Sequence, residues 1–386
     1  MIHRSKLIVT IATLTLGFAV LICRGQLGLV TVSSKVTRTS NITPPGPSQF
    51  YAQDNIISDV PGLADHTDPN LVNAWGLDAG PTSSWWIADN GTGQTTLYNI
   101  STAATTFFTV PGAGGAQGNP TGLVFNGGTG FMVNGGPALF IFSSEDGTIS
   151  AFRGGVITTV VPNMNAVAHG AIYKGLAIDS RSAGEFLYAT DFHNGKVDVF
   201  DTSFHLVTLS GNFTDPNLPA GFAPFGIQNI GGTLYVTYAL QDEDAKDDVA
   251  GPGNGFVDAY DLNGNLNRRV ATAGELNSPW GLALAPADFG RFSGDLLVGN
   301  FGNGRIHAFD PTSFTSTGEF EAVGLLHSAA GKPIQIDGLW SLQFGHGTNA
   351  VGANGLTTTL FFTAGPSGED HGLFGSIVLT EPPGGQ

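Results

Sequence analysis

Cysteine is nearly absent from this chain. The one thiol, Cys23, lies in the N-terminal segment, so no internal disulfide can form and everything downstream must be held by packing alone. Cations are scarce as well: 15 Lys plus Arg stand against 31 Asp plus Glu, for a net charge of −16. That excludes nucleic acid as a partner, because phosphates demand clustered cations. Charged residues make up only 12% of the chain, yet it carries 56 glycines and 27 phenylalanines. Disorder would need fewer aromatics. Glycine interleaved with Val, Ile, Phe and Thr instead indicates many short strands joined by tight turns. Also missing are a Gly-x-Ser-x-Gly elbow, a His-Glu-x-x-His helix, a cysteine pair and a phosphate loop ending in Lys-Ser/Thr, so the common hydrolase, zinc and nucleotide signatures are not written here.

The one long apolar run is Leu7–Cys23, preceded by His3, Arg4 and Lys6. This reads as the n- and h-regions of an export signal over residues 1–23, either cleaved or retained as a short anchor. Residues 24–49, rich in Ser, Thr and Pro, read as an extended linker, and 381–386 as a tail. The expectation is an exported protein, extracellular, periplasmic or tethered to the cell surface. It would be monomeric and touch a membrane only through its N-terminal segment.

What is present in place of these signatures is repetition. A short apolar strand with a central glycine occurs in "NAWGLDA" (73–79), "NPTGLVF" (119–125), "IYKGLAI" (172–178), "APFGIQN" (223–229) and "SPWGLAL" (278–284). "DGLWSLQF" (337–344) is a sixth copy, with Ser341 in place of the glycine. A second and a third strand follow each copy, at a period of roughly 46–60 residues, in the range of propeller blades. Glycine suits the innermost strand of a radial array, where a missing Cβ lets backbones crowd the axis. Units one to five leave room for a fourth strand, one of them over 205–210. The sixth ends after three, while the strand-like "YAQDNIIS" (51–58) has no partner in the first unit. The arithmetic predicts an all-β, six-bladed β-propeller of four-stranded blades over residues 50–380. Its ring is closed by the N-terminal strand joining the last blade, which removes an exposed sheet edge.

Loops before strand one and after strand two share a face, and that face gathers the polar residues. His169, Asp191 and His193 are its candidate catalytic groups. His66, His327, Asp337 and His371, with Trp75, Phe225 and Trp280 near the axis, are candidate ligand contacts. Asp89, Asp191 and Asn300 end second strands before a glycine turn. They either cap that turn through their own backbone or serve as metal ligands. Asp242, Asp244 and Asp247, in "QDEDAKDDVAGPGNG" (241–255), offer a weaker surface site for a cation such as calcium, or form a solvated acidic loop.

The aligned sentences "LYATDFHNGKVDVFD" (187–201) and "LLVGNFGNGRIHAFD" (296–310) resemble the NHL repeat. Over nearly the whole body, "DPNLVNAWGL" (68–77), "SPWGLALAPADFGRFSGDLLVGNFGNGRI" (278–306) and "DGLWSLQFG" (337–345) resemble an uncharacterised family of secreted bacterial propellers, many of which carry a Pro-Glu-Pro sorting tail. More distantly, the rhythm is similar to the gluconolactonase and senescence-marker propellers. That likeness implies a central divalent metal, with an Asp such as Asp89 or Asp191 among its ligands and an Asn just before the strand-one glycine. This chain has Trp75, Thr121, Lys174, Phe225 and Trp280 there, an apolar funnel rather than a cage. Two readings follow: a module binding a small molecule, a glycan or an envelope protein, or a divalent-metal-dependent hydrolase or lyase with calcium or a similar ion as cofactor.

Overall fold

The computed structural model describes residues 49–101, 104–162, 170–179, 185–347 and 353–380. The segment 1–23, nearly all of 24–49, the tail 381–386 and His169 lie outside the described residues. Six sheets form a six-bladed propeller. Their inner strands are Ala74–Asp78, Pro120–Phe125, Tyr173–Asp179, Phe222–Ile230, Pro279–Leu284 and Leu339–Phe344. Each touches the next, and the last touches the first. Every blade runs antiparallel from the axis outward, so its inner strands are buried on both faces. Trp85–Asp89 and Leu296–Asn300, second strands of blades 1 and 5, have no exposed residue, whereas Val156–Val161, the outer strand of blade 2, is mostly half-exposed.

Closure follows the predicted route. Phe50–Ser58 lies antiparallel to Leu373–Thr380, pairing Phe50 with Thr380, Tyr51 with Leu379 and Asp54 with Ser376. Tyr51 is buried, and its hydroxyl donates to the Phe289 carbonyl at 2.9 Å, fastening the closing strand to blade 5. A two-residue strand, His66–Thr67, adds in parallel beside Ile57 and Ser58, so the sixth sheet has five strands. One outer strand falls short of expectation. In blade 3, the run 205–210 contributes only Leu206–Val207, because Thr208–Asn212 turns away toward the next blade.

The axial glycines have a shared cause. A Cβ on Gly76 would come 2.4 Å from the Thr121 carbonyl oxygen, and one on Gly226 would come 2.2 Å from that of Trp280. Each glycine lets its strand press onto the next blade's backbone. The close approach breaks a rung of the ladder, as shown by register shifts between Tyr173 and Leu176 and between Pro224 and Ile227. A hydroxyl on the second strand fills the gap. Thr190 accepts from the Gly175 N–H at 2.6 Å and donates to the Phe225 carbonyl of the neighbouring blade at 2.8 Å. Ser143, Thr237 and Thr363 do the same for the N–H groups of Gly122, Gly226 and Ser341.

Candidate functional site

Six side chains precede the axial glycines (and Ser341) and so ring the axis: Trp75, Thr121, Lys174, Phe225, Trp280 and Trp340. Below them lies a second ring of Leu77, Leu123, Leu176, Ile227, Leu282 and Leu342, and the space between holds only about 20 Å³, room for one water at most. The axis is therefore stopped rather than open. Trp75 stacks on Trp340 with ring centroids 3.6 Å apart, Phe301 stacks on the same indole at 4.0 Å, and Trp280 meets both tryptophans edge-on at 6.2 and 5.8 Å. None of the three tryptophans is more than 8% exposed, and Phe225 is fully buried against Trp340. Trp75, Phe225 and Trp280 are thus packed as a plug, the apolar funnel expected from their positions, with Trp340 as a fourth member that its Ser341 neighbour had masked.

A charged cluster caps the plug. The Lys174 ammonium, buried to within 1%, donates to Glu145 Oε1 at 2.6 Å and Asp247 Oδ1 at 3.1 Å and lies 5.0 Å from the Trp75 ring. Burial opposes its charge, but Glu145 and then Asp247 more than offset this, so its pKa lies above the ordinary lysine value. Glu145 Oε2 accepts from Asn90, Asn90 accepts from Asn73, and Asn73 donates to Glu369 at 2.7 Å while accepting from the Trp340 indole. Burial raises the Glu369 carboxyl, while the Asn73 hydrogen bond and Lys174 oppose the shift, and Glu145 and Asp247 add to it. Asp248 is also raised, chiefly by burial.

Apart from Lys174, which stands at the start of its blade's first strand, the polar groups of this cluster sit before a first strand or after a second, on the predicted face, and blades 1, 2, 3, 4 and 6 contribute. Near the plug two buried indole nitrogens, Trp75 Nε1 and Trp280 Nε1, have no partner, while the Ser278 hydroxyl lies against the Asp248 carboxyl. Ser278 and Asn73, both two residues before an axial tryptophan, adopt left-handed backbone at φ 46° and 48°. Glu145 carries no warning in the sequence. Lys174 does, as the single charged residue among the six axial positions.

The remaining candidates are placed apart. His66 is exposed beside Ile57, and exposed His193 contacts the Ala245 carbonyl at 3.2 Å. His327 faces its own backbone at the Leu325 carbonyl, Asp337 accepts from Ser367 N–H, and His371 pairs with Asp59 at 2.8 Å. Asp242 accepts from the Lys246 N–H and closes a tight turn, Asp244 is exposed, and Asp247 reaches inward to Lys174. Asp191 accepts from the N–H groups of Ile172 and Asn194 and from the Asn194 amide, so it caps its own turn. Asn300 holds backbone at Asn277 and Glu275. Asp89 is the exception: neither of its carboxylate oxygens has a partner.

A divalent ion at the axis does not fit these side chains. The place between Glu145 and Asp247 where a cation would sit is filled by the Lys174 ammonium. Asp191 is committed to its turn and Asn300 to the backbone of Glu275 and Asn277, and among the described residues no three of His, Cys, Asp or Glu converge at ligand distance.

Among known proteins, the uncharacterized protein R648 of Acanthamoeba polyphaga mimivirus is 33% identical over 335 residues, spanning 83% of this chain and 78% of that protein. A second mimivirus protein, L690, is 32% identical over 356 residues, spanning 87% and 89%. The chain belongs to their family. No family model matches it. Of solved structures similar to this member of the mimivirus-protein family, a Bacteroides thetaiotaomicron protein of unknown function has a TM-score of 0.52 at 11% identity, covering 86% of this chain and 76% of that one. An α-L-arabinofuranosidase of Fusarium graminearum has 0.50 at 13%, covering 86% and 98%. Regucalcin, a calcium-binding protein of Agrobacterium tumefaciens, has 0.45 at 12%, covering 80% and 90%. At such identities the likeness is one of fold alone.

Proposed function

We propose that this propeller is a binding module whose axial face takes a hydroxyl-rich ligand, a glycan end, over the Trp75/Trp280/Trp340 plug. One observation carries the reading: the buried indole N–H donors of Trp75 and Trp280 lie unpartnered on the same face as the carboxylate acceptors of a fixed Lys174–Glu145–Glu369 network. Unpaired buried polar groups cost about 1–3 kcal/mol each and persist where something else satisfies them. Sugar hydroxyls both donate and accept, which suits a mixed set better than a purely cationic or anionic ligand would. The strained backbone at Ser278 points the same way, since such conformations cluster at functional sites.

A second reading, hydrolysis of that glycan, is favoured by the pairing of two carboxyls of different surroundings, Glu369 held by Asn73 and raised by burial, and Glu145 held by Lys174. Glycan-array binding followed by calorimetry tests the first reading. Binding that falls at least tenfold in Trp280→Ala supports it, and no binding to any neutral or acidic oligosaccharide overturns it. Release of reducing ends that is lost in Glu369→Gln while binding remains would establish the second. An exported location is part of the same proposal and rests on the sequence of residues 1–23. Kinship with secreted bacterial propellers rests on the shared motifs.

A further inference from the structure

The repeat provides its own control for Asp89. In blade 3, Asp191 ends the second strand opposite Lys196, and Asp198 sits two residues further along the same face. Lys196 Nζ bridges the two carboxylates, 3.6 Å from Asp191 and 2.6 Å from Asp198. In blade 1, Asp89 pairs with Gln94, and Thr96 occupies the third position. The carboxylate is kept and the cation is gone.

Asp89 is fully buried and both its oxygens lack a partner, as do Gln94 Oε1 and Thr96 Oγ1. Burial pushes its carboxyl well up; Thr96 lies near enough to ease this, though without a properly formed hydrogen bond, and Asp68 adds a second negative charge. The sheet face bearing Asp89, Gln94, Thr96 and Tyr98 packs on blade 6, where Trp85, Ile87 and Tyr98 meet Phe361 and Phe374. Asp68 accepts from the Tyr98 hydroxyl at 3.1 Å with one oxygen and from the Asn70 N–H and side-chain amide with the other, so it contributes charge beside Asp89 rather than a free oxygen. A buried, unpartnered acid, an amide oxygen and a hydroxyl, with the Asp68 charge nearby, make an all-oxygen donor set of the kind hard cations take.

We infer that the seam between blades 1 and 6 binds a hard divalent cation of the calcium class, anchored by Asp89 with Gln94 and Thr96 as further oxygen donors and with the Asp68 charge nearby. The ion does in blade 1 what Lys196 does in blade 3, and it sits at the junction where the ring is closed. The site lies in the blade seam, against the Phe361/Phe374 cluster rather than the tryptophan plug.

The full chain, stripped with EDTA, is titrated with terbium and calcium. Terbium luminescence sensitised by Tyr98 and Trp85, displaced by calcium, is expected, with a rise in Tm of about 4 °C at a hundredfold excess of calcium over Kd. Asp89→Asn is expected to abolish both signals. Gln94→Lys, which tethers an ammonium where blade 3 has one, is expected to abolish the calcium shift and raise the Tm of the metal-free protein. Absence of any calcium or terbium response in the natural chain overturns the inference. So does a response that survives Asp89→Asn, which would place the ion elsewhere, as in the exposed 242–247 turn.

Discussion

Replacing Lys174 by Met keeps most of its length and removes the charge that joins Glu145 and Asp247 over the plug. Breaking a fully buried ion pair costs about 3–5 kcal/mol, because the surviving charge is stranded. Here the strands are unequal. Asp247 is 56% exposed and returns to water, whereas Glu145 is 16% exposed and keeps only its Asn90 hydrogen bond at 3.1 Å. One carboxylate is stranded, and partly, so about 2–3 kcal/mol is expected. For roughly 330 residues at about 2 cal/mol/K each, the unfolding entropy is on the order of 0.7 kcal/mol/K, so Tm falls by about 3–4 °C.

The double variant Lys174→Met/Glu145→Gln should recover most of that loss, because a neutral pair strands no charge. The pH dependence has a definite sign. Lys174 has its folded pKa raised, so its contribution is complete below the unfolded lysine value near 10.4 and is lost only as pH climbs through the folded one. Asp247 has its folded pKa lowered (burial is outweighed by Lys174), so its share is present above about 3.9 and lost in acid. Thermal unfolding of the four members of the cycle reads the coupling. Effects that add to within about 0.5 kcal/mol, or a Lys174→Met cost below that, would refute the view that this cluster is a connected, buried unit.

Two further expectations concern the scaffold. Gly226→Ala should cost more than about 3 kcal/mol or prevent folding, since its Cβ meets the Trp280 carbonyl oxygen at 2.2 Å; Gly231→Ala, at φ 65° with open space around it, should cost only about 1–2 kcal/mol, both read as Tm. Asp258, fully buried with Arg269 and Tyr260, is pushed up to about 6, mainly by burial. The folded state therefore holds its proton more tightly than the unfolded chain, and this group adds up to about 3 kcal/mol as pH falls from above 6 toward 4. Asp258→Asn should lack that gain in urea unfolding at pH 7 and pH 5, and equal pH slopes for the two proteins would contradict it.

The ring was legible in the sequence because its determinants are local or countable. Glycine-centred strands mark the axis, and an unpaired strand at 51–58 against a three-stranded last unit forces closure. The charged cap was not legible in the same way. Lys174 stands out among its six counterparts, but its partners Glu145 and Asp247 come from loops of two other blades. Which loop reaches the axis depends on chain path above the sheets, a property with no period. The meaning of the Asp or Asn before each turn falls between these cases. Asp191 caps its own turn and Asn300 ties down the backbone before its blade's first strand, while the odd behaviour of Asp89 becomes visible only when Gln94 is set beside Lys196, an alignment that the repeat itself supplies.

The most direct test of the axial account is nitrogen-15 NMR of the lysine ammonium groups near neutral pH. A protected, slowly exchanging ammonium should be seen, should vanish in Lys174→Met and should shift when a glycan binds. Lysine signals that all exchange as freely as surface groups, or a protected one that persists in Lys174→Met, would contradict the account.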